Sequence, residues 1–527
     1  MLKTPQRTVL ATVLSLSLAA CGGGGGGGET PAPTPPSDRP TLAQTYTPSG
    51  RTAAGDVFVH LFEWKWADVA NECENVLGPK GYKAVQISPP QEHVAGAQWW
   101  TRYQPVSYAL ESRSGTRAQF INMVNRCKAA GVDVYADAVI NHMSASSAGT
   151  GTGGTTYTKY NYPGLYASGD FHTACSINNY GNAANVQDCE LVGLADLKTE
   201  SSTVRQKIAN YLISLADLGV AGFRIDATKH IQPVDLDEIL KLVNNDALAK
   251  GRARPYVFAE VIGAGGEAVQ PRDYYGLGYS SGGATDITEF TFRFTSHKFQ
   301  QVGGNQYLAQ LNPDGLSGSQ FSEAAWSLMP SNKAVVFLEN HDTQREDGSG
   351  IRYTDGAVHR LANIWMLAQP YGYPSIMSSY GFDRANQAGK DAGPPATAAS
   401  SNCAASWPAT PGVGSWICEH RDAAIANMVA FRKQVAGTPI NNWWDNGANA
   451  IAFSRGGQGF VAINREGSNV QRSFQTGMAA GNYCDVTTGL KNGTVCDGNV
   501  VTVAADGMAM LNLAPNTAVA IHAGQKL

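Results

Sequence analysis

Between about residues 55 and 437, eight short apolar, β-rich runs recur with helical patterns between them, an alternation that restricts this stretch to a parallel α/β arrangement. The runs occupy residues 57–62, 83–88, 133–140, 221–226, 256–261, 285–290, 334–339 and 374–378. Eight such units suggest a closed (β/α)8 TIM barrel. Helical periodicity is clearest over residues 202–218, where Val204, Ile208, Tyr211, Leu212, Leu215 and Leu218 share one face and Gly219 supplies the stop. Residues 141–200 are rich in Gly, Thr, Asn and Tyr and have no helical period, which predicts an irregular domain inserted after the third strand. Past residue 438, short alternating runs at 450–454, 459–464 and 500–503 read as an antiparallel β-sandwich. The barrel is thus expected over 55–140 and 201–437, the insertion over 141–200 and the sandwich over 438–527.

The first 54 residues cannot belong to that core. Lys3 and Arg7 precede an apolar stretch, residues 9–20, that is too short to span a bilayer as a helix and reads as a bacterial export signal. Leu18-Ala19-Ala20-Cys21 resembles a lipobox, which would make Cys21 a lipid-bearing residue anchoring the chain to a bacterial membrane; the alternative is ordinary cleavage nearby, with Cys21 incidental. Seven glycines, Gly22 to Gly28, and a Pro/Thr-rich stretch then form a tether over residues 22–54. Setting Cys21 aside leaves eight of nine cysteines, an even number suited to an oxidising compartment, although sequence alone leaves their pairing open. A net charge of -4 and only 16% charged residues argue against nucleic acid as a partner and favour an uncharged, hydroxyl-rich one.

Three acids close or just follow apolar runs: Asp226 in Gly222-Phe223-Arg224-Ile225-Asp226, Glu260 in Val257-Phe258-Ala259-Glu260, and Asp342 in Glu339-Asn340-His341-Asp342. A carboxylate at the carboxyl end of a buried strand costs desolvation unless it works there. Taken singly, each acid reads as a cap or an ion-pair partner; taken together, they suit cleavage of a glycosidic bond through an oxocarbenium-like transition state. Arg224, two residues before Asp226 on the same face of a strand, favours the ionised carboxylate. Trp99, Trp100, Tyr103 and Gln104 fall in a loop beyond the second run, where aromatic faces stack on sugar rings and an amide reads hydroxyls. Adjacent tryptophans in a polar loop cannot both face inward, so Trp100 and Tyr103 are the expected stacking pair, with Tyr180 a further candidate.

These residues and their flanks carry a family resemblance. From about residue 55 onward the chain resembles the α-amylases of the (β/α)8 glycoside hydrolase clan, in particular their animal-type branch. The resemblance rests on His60-Leu61-Phe62-Glu63-Trp64, Trp99-Trp100-Thr101-Arg102-Tyr103-Gln104-Pro105, Asp137-Ala138-Val139-Ile140-Asn141-His142, Leu191-Val192-Gly193-Leu194-Ala195-Asp196-Leu197, Gly222-Phe223-Arg224-Ile225-Asp226-Ala227-Thr228-Lys229-His230 and Asn340-His341-Asp342. It implies endo-hydrolysis of α-1,4-glucosidic bonds in starch and glycogen, with Asp226 as nucleophile, Glu260 as acid and base, and Asp342 gripping hydroxyls and stabilising charge. Release of short maltooligosaccharides, transglycosylation, or a non-catalytic starch-binding lipoprotein are the alternatives.

The same resemblance implies that His142, Lys229, His230 and His341 donate to sugar hydroxyls. It also implies calcium held by Asn141, Asp196 and the backbone oxygens of Gln187 and His230, and pairings Cys73–Cys127, Cys175–Cys189, Cys403–Cys418 and Cys484–Cys496 in an exported monomer. A further bridge common in relatives is lost at both of its positions, Glu111 and Ser144. Two departures stand out. Of the residues that bind chloride in relatives, Arg224 and Asn340 match but the second arginine position holds Ser375, which predicts weak or absent chloride activation. The glycine-rich mobile loop is altered to Glu346-Asp347-Gly348-Ser349-Gly350.

Overall fold

The computed structural model describes residues 53–277, 285–313, 320–346, 348, 350–403 and 412–527. The export signal, Cys21 and nearly all of the tether lie outside the described residues, as do Asp347 and Ser349 of the altered loop.

Eight parallel strands close into a barrel: β1 (Phe58–Leu61), β2 (Ala84–Ile87), β3 (Asp133–Ala138), β4 (Gly222–Ile225), β5 (Tyr256–Ala259), β6 (Thr285–Thr288), β7 (Ala334–Val336) and β8 (Tyr373–Ser378). Spatial order follows chain order, and β8 returns to β1 with Phe58 opposite Ser375. Each of the first seven runs read from the sequence contains one of these strands, and the eighth, 374–378, matches β8 except that β8 begins one residue earlier, at Tyr373. Most are shorter than read, because their last residues leave the ladder to build loops at the carboxyl end.

Around the strands lie α1 (Trp66–Glu72), α2 (Arg117–Ala129), α3 (Ser202–Asp217), α4 (Pro233–Ala249), α5 (Ala357–Ala368) and α6 (Ala423–Gln434). A capping box of Thr116 and Gln119 starts α2. Helix α3 buries Val204, Ile208, Tyr211, Leu212 and Leu215, the stripe its period demands, and Gly219 ends it at φ +101°.

Alternate strand residues fill the lumen in layers. At the amino-terminal end Phe58, Ala84, Tyr135, Tyr256, Phe258, Val335 and Tyr373 form an aromatic floor, with the Tyr135 and Tyr373 hydroxyls 3.2 Å apart. Two residues further along come His60, Gln86, Asp137 and Arg224, and then the acids. Gly222 is required for this stacking: a Cβ there would sit 2.6 Å from the Tyr256 carbonyl and 2.8 Å from the Tyr135 ring.

The segment between β3 and α3 contains a hairpin (Ala148–Thr150 with Thr156–Thr158), a short helix (Ala183–Gln187) and a cluster of Tyr157, Tyr160, Tyr162, Tyr166 and Phe171. Lys207 of α3 holds it through Asp170 at 3.0 Å.

The carboxyl-terminal strands are β9 (Ile440–Asp445), β10 (Ala450–Arg455), β11 (Gly459–Asn464), β12 (Val470–Gln475), β13 (Gly481–Cys484), β14 (Val500–Val503), β15 (Met508–Leu513) and β16 (Thr517–His522). An antiparallel sheet β9-β10-β11-β16 packs against the pairs β12–β15 and β13–β14 around Phe460, Phe474, Tyr483, Val501, Leu511 and Ile521. Buried Arg455 of β10 joins sandwich to barrel by donating to Val435 O (3.2 Å) at the end of α6 and to Thr438 O (2.7 Å), and buried Arg432 of α6 donates to Gln369 O (2.7 Å) at the end of α5. Four disulfides form, Cys73–Cys127, Cys175–Cys189, Cys403–Cys418 and Cys484–Cys496. Ser144 hydrogen-bonds the Tyr162 hydroxyl at 2.9 Å.

Candidate active site

The ladder itself carries the first two acids to their places. Asp226 N donates to Ala138 O at 3.0 Å and Glu260 N to Ile225 O at 2.9 Å, extending the pairing one residue beyond β4 and β5. Their side chains then meet at Arg224. Its Nη1 lies 2.7 Å from Asp137 Oδ1 and 2.9 Å from Asp226 Oδ1, and its Nη2 lies 2.6 Å from Glu260 Oε1. Glu260 Oε2 accepts from Ala227 N at 2.9 Å. Ala227 adopts φ +50°, a strained left-handed conformation that turns the chain sharply after Asp226. Asp342 follows β7, its side chain 30% exposed, with His341 Nε2 at 3.3 Å. The Asn340 side chain folds this turn by accepting from Asp342 N (3.0 Å) and Thr343 N (2.8 Å).

Three carboxylates share one guanidinium. Burial pushes Asp226 well above the ordinary carboxylate range; Arg224 opposes the shift, and Glu260 and Asp137 add to it. Burial likewise raises Asp137. Asp342 is raised to about 7 by burial and then by Glu260, though its 30% exposure makes burial a weaker cause than at Asp226. Arg224 stays charged because three carboxylates outweigh its burial. Burial and mutual repulsion thus oppose ionising Asp137, Asp226 and Asp342 all at once, while Arg224 favours their charged forms, so these groups titrate together.

The expected binding residues divide. Trp100 is half-buried on the rim. Trp99 is only 9% exposed: its indole N–H donates to Lys390 O at 3.0 Å and its ring packs edge-on to Phe62, Tyr103 and His341, so it is a wall and not a platform. One face of Tyr103 is covered by His341 (5.1 Å, 9°), and its hydroxyl donates to Asp137 Oδ2 at 2.9 Å. His142, expected as a hydroxyl donor, is buried with Nε2 3.0 Å from Tyr103 O. Gln104 gives its oxygen to Ala145 N at 3.1 Å. Lys229 lies 4.9 Å over the Tyr180 ring and donates to Glu267 Oε2 (2.6 Å) and Ile262 O (2.7 Å), forming a polar corner beside exposed Ile262.

The residues expected around calcium also converge. Asn141 Nδ2 lies 3.3 Å from Asp196 Oδ1, while His172 bridges Asp196 Oδ2 (2.7 Å) and Glu200 Oε2 (2.9 Å). His230 Nδ1 lies 2.9 Å from Val186 O, drawing the Gln187 backbone to the turn after β4. Among the described residues no group of three His, Cys, Asp or Glu side chains suits a metal, and this donor set of one carboxylate, one amide and two carbonyls is not of that kind.

Sequence reading missed Asp137, His172, Glu267 and Arg345. Asp137 was findable, since period-two counting along β3 from Tyr135 puts it in the lumen. Arg345 was not: it donates to His341 O at 2.5 Å from a cage of Phe62, Trp99, Tyr380 and Phe382 drawn from three separate segments.

Paired carboxylates at neighbouring strand ends of a (β/α)8 barrel, with a third acid nearby, define a glycoside hydrolase site. The family models for the alpha amylase catalytic domain and the alpha amylase C-terminal all-beta domain match residues 89–374 and 441–524. The alpha-amylase of Tribolium castaneum is 45% identical over 89% of this chain and 94% of its own length, and that of Tenebrio molitor 43% over 91% and 98%. The alpha-amylase of Streptomyces violaceus is 46% identical over 89% of this chain and 74% of its own. Among solved structures, alpha-amylase I from Eisenia fetida superposes with a TM-score of 0.80 at 36% identity, covering 91% of this chain and 99% of that one; a mutant of it was solved in complex with maltohexaose. The chain belongs to the α-amylase family of glycoside hydrolases.

Proposed function

We propose that this chain hydrolyses internal α-1,4-glucosidic bonds of starch, glycogen and related α-glucans, with retention at the anomeric carbon. One observation carries the reading: Asp226 and Glu260 are gripped by the two amino groups of one guanidinium, which favours the spacing of about 5 Å that retaining enzymes need. Asp226 attacks the anomeric carbon as Glu260 delivers its proton to the departing oxygen; Glu260 then takes a proton from the water that releases the glycosyl group. Asp342, the most exposed of the three acids, holds hydroxyls of the same sugar and balances positive charge on its ring. Trp100, Tyr103, Tyr180, Lys229 and His341 line the path of the glucan. The maltohexaose complex of the Eisenia fetida relative supports a cleft that takes a chain of several glucose units.

Asn141, Asp196 and the carbonyls of Gln187 and His230 fit calcium, which favours hard oxygens in irregular geometry. Bound there, the ion would fasten the inserted segment to the barrel. Ser375 in place of a second cation argues against chloride activation. Four disulfides support export, and the lipobox-like run ending at Cys21 supports a lipid anchor on a monomeric enzyme. The test is reducing-sugar release from soluble starch, alongside viscosity and the anomeric form of the first products. Wild-type protein should drop viscosity before sugars accumulate and release α-anomers, and Asp226→Asn should lose more than about 10³-fold in kcat. A fully active Asp226→Asn enzyme, or β-anomeric products, would overturn the assignment.

A further inference from the structure

Behind the turn that presents His341 and Asp342 lies a buried cluster of polar side chains. Glu339 directly precedes the turn and Gln344 closes it, and their side chains join across it, Gln344 Nε2 donating to Glu339 Oε2 at 3.0 Å. Gln344 N also donates to Asn340 O at 3.1 Å. The other Glu339 oxygen accepts from His359 Nε2 of α5 at 2.5 Å. Asn363, one helical turn on, sets its amide 3.2 Å from His359 Nδ1 and donates to His359 O at 3.0 Å, fixing the ring. Gln344 reaches on to the Ser379 hydroxyl, and Ser379 N donates to Glu419 Oε2 at 2.8 Å. Glu339, Gln344, His359, Ser379 and Glu419 are each at most 4% exposed.

A buried glutamate is costly unless something fixes and compensates it. Here an imidazole from a helix outside the strands and the Gln344 amide hold its two oxygens, with the Arg352 charge further off, and the glutamate they fix is covalently three residues from Asp342. We infer that His359 is a positioning residue for the reaction: by holding Glu339, and through it Gln344, it sets the turn that aims Asp342 at the sugar. Glu339, Glu419 and Asp355 are the acids whose charges reach the ring. The inference rests on Asp342 acting in catalysis, as proposed above.

The experiment compares His359→Leu, which removes the donor, with His359→Gln, whose amide can replace it, and with Gln344→Ala at the other end of the clamp. Each is made in wild-type and Asp342→Asn backgrounds, with thermal midpoints recorded for all. His359→Leu should lower kcat at least tenfold while KM stays within about twofold, and His359→Gln should recover most of the loss. In the Asp342→Asn background, His359→Leu and Gln344→Ala should cost little more, because their effect runs through a side chain already disabled. A folded His359→Leu enzyme with undiminished kcat, or losses that add fully to that of Asp342→Asn, would overturn the inference. Should Asp342→Asn itself leave kcat intact, the catalytic reading of that acid fails first, and the two failures are told apart.

Discussion

Ser375 and Arg224 line one lumen cavity of about 30 Å³ beneath the acids, with Asn340 and His60 beside them. A void of that size takes about one water molecule, and one guanidinium already shared by three carboxylates has little attraction left for an anion. Turnover should therefore change less than about twofold between chloride-free buffer and chloride at matched ionic strength. Ser375→Arg adds the missing cation, and its activity should rise several-fold with added chloride.

Asp137 anchors Arg224 through Nη1, the nitrogen that also reaches Asp226. Asp137→Asn should leave KM within about twofold but lower kcat at least tenfold, a part of the ~10²–10³ attributed to a direct electrostatic contributor. Steady-state kinetics on a soluble maltooligosaccharide decides it, and an unchanged kcat would show that Arg224 needs no anchor.

The raised acids also leave a mark on stability. Asp342 has a folded value of about 7 against an ordinary 3.8, so the folded state favours its protonated form. Its contribution is most favourable below pH 3.8 and declines as pH rises through about 7. Asp342→Asn should match wild type in thermal midpoint near pH 4 and exceed it increasingly up to about pH 7, with no further gain above. Scanning calorimetry across that range tests the sign.

Removing calcium should loosen residues 141–200 before the barrel melts. A chelator should lower the thermal midpoint and open this segment to limited proteolysis, and excess calcium should reverse both. Asp196→Asn should respond to neither chelator nor calcium, and a chelator-insensitive wild type would dismiss the ion.

The barrel was legible because parallel strands buried on both faces read as continuous apolar runs, and because β4 and β5 end on acids that local sequence already marks. What escaped was whatever depends on chain segments meeting from a distance. Trp99 and Trp100 are indistinguishable in sequence, yet only the first is sealed under Arg345, because Lys390, nearly 300 positions on, accepts its indole N–H. The contact of His142 with the Tyr103 carbonyl has no local signature either, because that carbonyl comes from another loop. His359 carries no signal along α5 beyond a polar residue on a buried stripe, since its partner Glu339 sits on a different element.

Gly222 contacts no sugar, metal or acid, yet the floor closes only because it lacks a side chain. A methyl group there would wedge apart the two strands that deliver Asp226 and Glu260, so a random Gly222→Ala change would present in a screen as an inactive enzyme with every reactive group intact. Searches for crippling alleles in such a chain should expect them at the foot of the barrel as well as at its mouth.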